Sequence, residues 1–171
     1  MSATVITTRD GDVLTVALAR PEARNAFDEE TVADLTEALR GPAAAEDVRV
    51  VVLRGEGTVF CAGADLNYMR RLADADEERN VADAERLAAL FDAVCRCPHP
   101  VIAAVHGAAM GGGVGLVAAS DLVVAAEGTR FGFTEARLGI VPGVISPYAV
   151  RRVGPALARR RPAVRRPRRL R

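Results

Sequence analysis

The stretch AAMGGGVGLVAASD, residues 108–121, decides how this chain is read. Four glycines (Gly111, Gly112, Gly113 and Gly115) fall within five residues at the head of an apolar run. In a helix interior each costs roughly 0.5–1 kcal/mol relative to alanine, so the cluster implies close backbone approach or unusual dihedrals. Two chemistries use such a loop. A dinucleotide-binding loop cradles a pyrophosphate, and Gly113-Val114-Gly115 followed by Ala118 fits the letters GxGxxA. Its context does not fit, because that fingerprint places the first glycine at the end of a strand. Here seven residues separate the apolar segment 101–105 from Gly113, and the helix expected near 113–119 closes before Asp121. The other chemistry uses the free N–H groups of a helix N-terminus, which point at an anion or carbonyl from the positive end of the macrodipole.

Outward from the glycines, the pattern is α/β. Segments 4–8 and 13–19 read as strands around Arg9-Asp10-Gly11-Asp12, a hairpin signal. RPEARNAF (20–27) is a loop broken by Pro21, after which Asp28 caps a helix expected over 29–39 and stopped by Gly41-Pro42. VRVVVLR (48–54) is a continuous apolar strand of the type buried on both faces. A glycine-containing loop covers 55–64. Leu87, Leu90, Phe91 and Val94 recur at helical spacing over 80–94. Pro98 and Pro100 end that helix, and 101–105 is a second buried strand. Strands are expected at 122–126 and, briefly, at 131–133, with a helix over 144–153. The alternation of strands and helices indicates the α/β class.

A length of 171 residues suits one domain. Half of the residues are apolar, and no apolar stretch reaches the roughly 18 residues of a membrane span. The N-terminal MSATVITTRDGD lacks a basic segment followed by an apolar one, so neither signal peptide nor membrane contact is expected. Cys61, Cys95 and Cys97 are odd in number and lack paired CxxC spacing, which points to reduced thiols, no metal and a cytoplasmic location.

The formal net charge of +1 conceals an asymmetry. All 23 basic residues are arginine; ten lie in 151–171, which holds no acid, leaving 13 against 22 acids and a net of −9 in 1–150. The division is therefore a core over 1–158 and an Arg/Pro-rich tail over 159–171. With like charge, two prolines and no apolar period, the tail is expected to be disordered or non-native rather than packed. A nucleic-acid arm is the rival explanation of such a tail, but no nucleic-acid partner is expected.

A second candidate for free amides is FCAGADL (60–66), which follows the strand at 48–54 and again offers small residues around Gly63-Ala64. Each loop alone is more often a tight turn. Both follow a buried strand and open a helix, and together they suggest two halves of an oxyanion hole.

RPEARNAF, FCAGADLNYM (60–69), HGAAMGGGVGLVAASDLVVA (106–125) and FGFTEARLGIVPGVISPY (131–148) occur in an order and spacing that resemble the enoyl-CoA hydratase/isomerase (crotonase) family over residues 4 to about 160. The resemblance implies a spiral of ββα repeats whose C-terminal helical part is missing here. It also implies self-association as trimers or hexamers, acyl-CoA thioester substrates and no cofactor, CoA being part of the substrate. By the family pattern the thioester oxygen sits between the N–H groups of Ala64 and Gly112, and Glu135 is the catalytic carboxylate. Arg24, Ala62, Asp65, Leu66 and Gly111 would bind substrate. A second family glutamate falls at Gly115, which carries no side chain. The wording GGGVGLVAASD with EARLGIVPGVISPYAVRRVG is most similar to methylglutaconyl-CoA hydratase-type members of leucine degradation. Hydration is therefore favoured; the alternatives are an enoyl-CoA isomerase with Glu135 as proton shuttle, or an inactive truncated fragment.

Other polar residues have plainer roles. Arg24 suits CoA phosphates or plain solvation, Asp65 suits hydrogen bonds to loop amides, and Asp121 and His106 are expected to be structural. His99 is expected to be inert, and Met110 to line pocket or core.

Overall fold

A computed structural model describes residues 3–135 and 139–160. The tail beyond Arg160 lies outside the described residues. Seven strands lie among the described residues: β1 (Val5–Asp10), β2 (Val13–Leu18), β3 (Val50–Gly55), β4 (Val101–Val105), β5 (Ala108–Met110), β6 (Leu122–Ala125) and β7 (Arg130–Gly132). The helices are α1 (Glu29–Arg40), α2 (Leu66–Ala73), α3 (Glu77–Cys95), α4 (Gly112–Ala119), α5 (Ser146–Val153) and α6 (Pro155–Arg160).

The large sheet has the order β1-β2-β3-β4-β6. β1 and β2 form the antiparallel hairpin, with Asp10 opposite Val13, and the remaining neighbours are parallel. Parallel neighbours need a crossover, and the helices between the strands supply it. After each parallel strand the chain also contributes to a short second layer. Phe27 bridges Ala64, Cys61 bridges Ala109, and β5 pairs with β7, all in parallel. Each turn is thus a long strand, a short one and a helix, stacked on the turn before. This is the ββα spiral that the family resemblance implied.

Register explains the core. Val16 sits opposite Leu53, and Leu53 opposite Ala103, a row with essentially no exposure. Leu35 and Leu39 of α1, Leu90, Phe91 and Val94 of α3, and Leu116 of α4 join it in one apolar cluster. β3 is not buried on both faces as expected: Val51 and Leu53 are buried, while Val50, Val52 and Arg54 are half-exposed. The continuous apolar run reflects a second face that is only partly covered.

Caps set helix boundaries that the apolar period could not reveal. Asp28 Oδ1 accepts the N–H and hydroxyl of Thr31 and starts α1. Asp76 accepts the Arg79 N–H and starts α3 three residues before the expected position, since Glu77, Glu78 and Arg79 carry no apolar signal. The strand β5 has no signature in the sequence, because Ala108-Ala109-Met110 is too short to show an alternation.

Asn25 fastens the loop after β2. It is buried in the left-handed region at φ 55°. Its Oδ1 accepts the Arg20 N–H, and its Nδ2 donates to the carbonyls of Glu56 and Val59, joining two turns of the spiral. Asparagine tolerates this dihedral better than alanine. Asn25→Ala is therefore expected to cost about 2–4 kcal/mol, from stranded buried partners and backbone strain, measured as a lowered urea midpoint at unchanged slope.

Candidate functional site

Loop 60–65 and the turn from β5 into α4 come together over the second layer. The Cys61 N–H donates to the Ala108 carbonyl, and the Met110 N–H returns to the Cys61 carbonyl. Gly63 and Gly111 then face one another in left-handed conformations, at φ 97° and 50°. A Cβ on Gly63 would lie 3.1 Å from the Met110 oxygen, and one on Gly111 would lie 3.6 Å from Gly63 Cα. The Gly63 contact is tight enough that a side chain would press on the Met110 carbonyl, and both residues hold dihedrals that side chains rarely adopt.

This approach aims two amides outward. The Gly63 carbonyl accepts the Phe27 N–H at 2.8 Å, and the Asp65 N–H donates to the Phe27 carbonyl at 2.7 Å. In a trans peptide the carbonyl and the following N–H point in opposite directions, so the Ala64 N–H is turned away from Phe27. Likewise the Gly111 carbonyl accepts from Val114 and Gly115 within the first turn of α4, which turns the Gly112 N–H out of the helix end. Among the described residues neither N–H has an acceptor. The Phe27 ring lies under Gly112, where a Cβ would meet it at 2.7 Å.

β7 delivers the carboxylate. The Gly111 N–H donates to the Gly132 carbonyl at 2.9 Å, and three residues later the Glu135 side chain reaches the same turn. A Cβ on Gly111 would be 3.3 Å from Glu135 Oε1 and from Thr134 Oγ1. Glu135 Oε2 is buried and has no hydrogen-bond partner among the described residues. Glu135, Gly111, Gly112, Gly63 and Ala64 are therefore one cluster drawn from three turns of the spiral.

The remaining sequence-derived candidates lie at its margin. The Ala62 N–H donates to the Arg24 carbonyl. The Arg24 side chain is exposed, with no ion-pair partner among the described residues, and Leu66 is exposed beside the loop. Asp65 Oδ1 accepts the N–H groups of Asn67 and Tyr68, capping α2. His106 Nε2 contacts the Gly57 carbonyl, His99 Nε2 the Ala45 carbonyl, and Asp121 accepts the Val101 N–H, as structural residues do. Met110 packs its sulfur over Gly132. Sequence reasoning missed Arg20, whose guanidinium reaches Asp28 and Asp65, and Cys61, packed between the two loops. No group of three metal-ligating side chains is gathered, and no helix is long and apolar enough to cross a membrane, among the described residues.

A family model described as enoyl-CoA hydratase/isomerase matches residues 8–164. The chain belongs to this family. A Thermus thermophilus protein that carries an enoyl-CoA hydratase name is 42% identical over 149 residues, covering 87% of this chain and 59% of its own length. The crystal structure of an enoyl-CoA hydratase from Shewanella pealeana superposes with a TM-score of 0.89 at 40% identity, over 92% of this chain and 59% of that one. That of an enoyl-CoA hydratase from Mycobacterium smegmatis gives 0.86 at 38% identity, over 92% and 61%. This member of the enoyl-CoA hydratase/isomerase family thus spans about three fifths of the length of these relatives.

Two packing details bear on the chemistry. A Cβ on Gly115 would lie 2.6 Å from Ile145 Cγ2 and 2.7 Å from Phe91 Cε1, so the position has no room for a second acid. Gly-to-Ala exchange in an ordinary helix stabilises by about 1 kcal/mol; Gly115→Ala is expected instead to destabilise by about 1–3 kcal/mol through overpacking, as a lowered thermal midpoint. The Cys61 thiol is fully buried, and burial pushes its pKa from 9.0 up to about 12, partly offset by the Gly63 N–H it accepts. The unfolded thiol ionises first, so its contribution to stability is complete below pH 9 and is lost as pH rises towards 12. The stability difference between wild type and Cys61→Ala is accordingly expected to move against wild type across that window, in urea titrations at stepped pH.

Proposed function

We propose that the chain is the catalytic core of an enoyl-CoA hydratase, adding water across the double bond of an unsaturated acyl-CoA thioester of the methylglutaconyl-CoA type. The observation that carries this is Oε2 of Glu135, buried beside the glycine turn and without a donor among the described residues. A buried acceptor without a donor costs about 1–3 kcal/mol, and a water or ligand that supplies the donor explains its persistence.

The thioester oxygen accepts the N–H groups of Ala64 and Gly112. Glu135 takes a proton from water as the water oxygen bonds to C3. The electrons of the C2–C3 double bond move towards the carbonyl, and enolate charge develops on the oxygen facing the two amides. The enolate collapses by taking the proton from Glu135 at C2, leaving a 3-hydroxyacyl thioester and the carboxylate restored. Preorganised amides stabilise that charge without reorganisation, and one such donor is typically worth roughly 10²–10³ in rate. Ala62, Leu66 and Gly111 flank the acyl thioester, Asp65 holds the loop, and the exposed Arg24 meets CoA phosphates with its guanidinium fork. CoA arrives with the substrate, and no step calls for a cofactor. Self-association belongs to the same proposal, supported by apolar side chains exposed on β6 and α5 (Leu122, Val124, Val150 and Val153).

A second reading is supported by the lack of space at Gly115. A single carboxylate also suits an isomerase, with Glu135 removing a proton from C2 of a 3-enoyl thioester and returning it to C4. Offering purified protein a 2-enoyl-CoA and a 3-enoyl-CoA separates the two. Hydration gives a 3-hydroxyacyl-CoA from the 2-enoyl substrate, isomerisation gives the 2-enoyl product, and turnover of neither by folded protein marks an inactive fragment. Glu135→Gln is expected to lower kcat at least about 10³-fold with the fold intact. Retained activity removes Glu135 from catalysis.

A further inference from the structure

Arg20 lies just beyond β2, ahead of the short 3-10 turn Pro21–Ala23, with its side chain 20% exposed. Its guanidinium meets two chain segments, one at Ala26–Asp28 and one at Asp65. Nη1 donates to the Ala26 carbonyl at 2.8 Å and pairs with Asp28 Oδ2 at 2.7 Å, while Nη2 reaches Asp65 Oδ2 at 3.5 Å. Each carboxylate divides its oxygens in the same way. Asp28 Oδ1 caps α1 through Thr31, and Asp65 Oδ1 caps α2 through Asn67 and Tyr68, leaving both Oδ2 atoms to Arg20.

The residues inside this bracket are Phe27, directly before Asp28, and Ala64, directly before Asp65. They form the bridge that turns the Ala64 N–H outward. Without a cation between them, the two carboxylates would repel and each would lose a partner, driving apart the segments the bridge joins. The planar fork engages both at once, which a point-charge ammonium does less well.

We propose that Arg20 is a positioning residue: by clamping Asp28 and Asp65 it locks the Phe27–Ala64 bridge and so fixes the direction of the Ala64 N–H. The inference rests on the donor role proposed for Ala64, and it adds a residue that acts through Asp28 and Asp65 rather than on a reacting atom. Asp28 bears the mark of the clamp. Burial works to raise its pKa, but hydrogen bonds from Thr31 and the Arg20 charge outweigh this and hold the carboxyl below its ordinary value.

The test compares wild type with Arg20→Gln by hydrogen exchange and by turnover of a 2-enoyl-CoA. The bridge amides of Phe27 and Asp65 are expected to exchange at least about tenfold faster, while those of β3 and β4 keep their rates. In the same variant kcat falls about tenfold or more, with KM within about twofold of wild type, since the donor acts on charge that develops in the transition state. Arg20→Lys recovers only part of either effect. Unchanged exchange at Phe27 and Asp65, or acceleration spread evenly over the sheet, overturns the clamp, as does a normal kcat in folded Arg20→Gln. If wild type turns over no thioester, the hydratase reading fails, and exchange alone decides whether Arg20 holds the bridge. Should Arg20→Gln not fold, Asp65→Asn, which keeps the cap oxygen and removes one arm of the clamp, must show the same local acceleration or the proposal falls.

Discussion

Everything in the candidate site depends on two bare backbones pressed together, Gly63 against Met110 and Gly111. A methyl group on Gly63 would press on the Met110 carbonyl, and one on Gly111 would crowd the Glu135 and Thr134 side chains from a strained positive φ. The contact is held from three directions: the Cys61–Ala109 bridge behind it, the Phe27–Ala64 bridge beside it, and the Gly111–Gly132 hydrogen bond in front. Each belongs to a different turn of the spiral, so the site exists only where consecutive turns are stacked.

Electrostatics around this contact are divided between backbone and side chain. At the glycine turn lie backbone N–H groups of fixed orientation and a Glu135 carboxylate oxygen with no donor among the described residues. Charged pairs lie behind them, where Arg20, Asp28 and Asp65 tie helix caps together. The thiol between the loops stays neutral because burial disfavours its anion. Several of the body's acids cap helices, Asp83 is buried against the Tyr68 hydroxyl, and Glu135 stands at the glycine turn.

Much of this was legible in the sequence. The strands expected at 101–105 and 13–19, the hairpin and the cap at Asp28 follow from short apolar runs, the Asp10-Gly11 turn signal and an Asp ahead of an apolar period. The two glycine-bearing loops could be picked out, though not their mutual contact, because that contact is a tertiary event between residues 48 positions apart. α2 and the start of α3 were obscured by polar residues whose helicity rests on aspartate caps. Arg20 went unnoticed because a lone arginine before a proline carries no local signal; its partners lie 8 and 45 positions away. Gly115 was visible as an absent acid, but only packing against Phe91 and Ile145 explains why no side chain stands there.

The large sheet also has a temporal meaning. Its spatial order, β1-β2-β3-β4-β6, is the order in which the strands occur along the chain, the second-layer strands aside. During synthesis every strand therefore emerges after the neighbour it must pair with, and loop closure at each step spans a single turn rather than the whole domain. Assembly is a growth process with a moving front, and β6, with Leu122 and Val124 uncovered, is that front. A parallel edge of this kind is adhesive. Such an edge stays open to pairing until the next strand or another surface covers it.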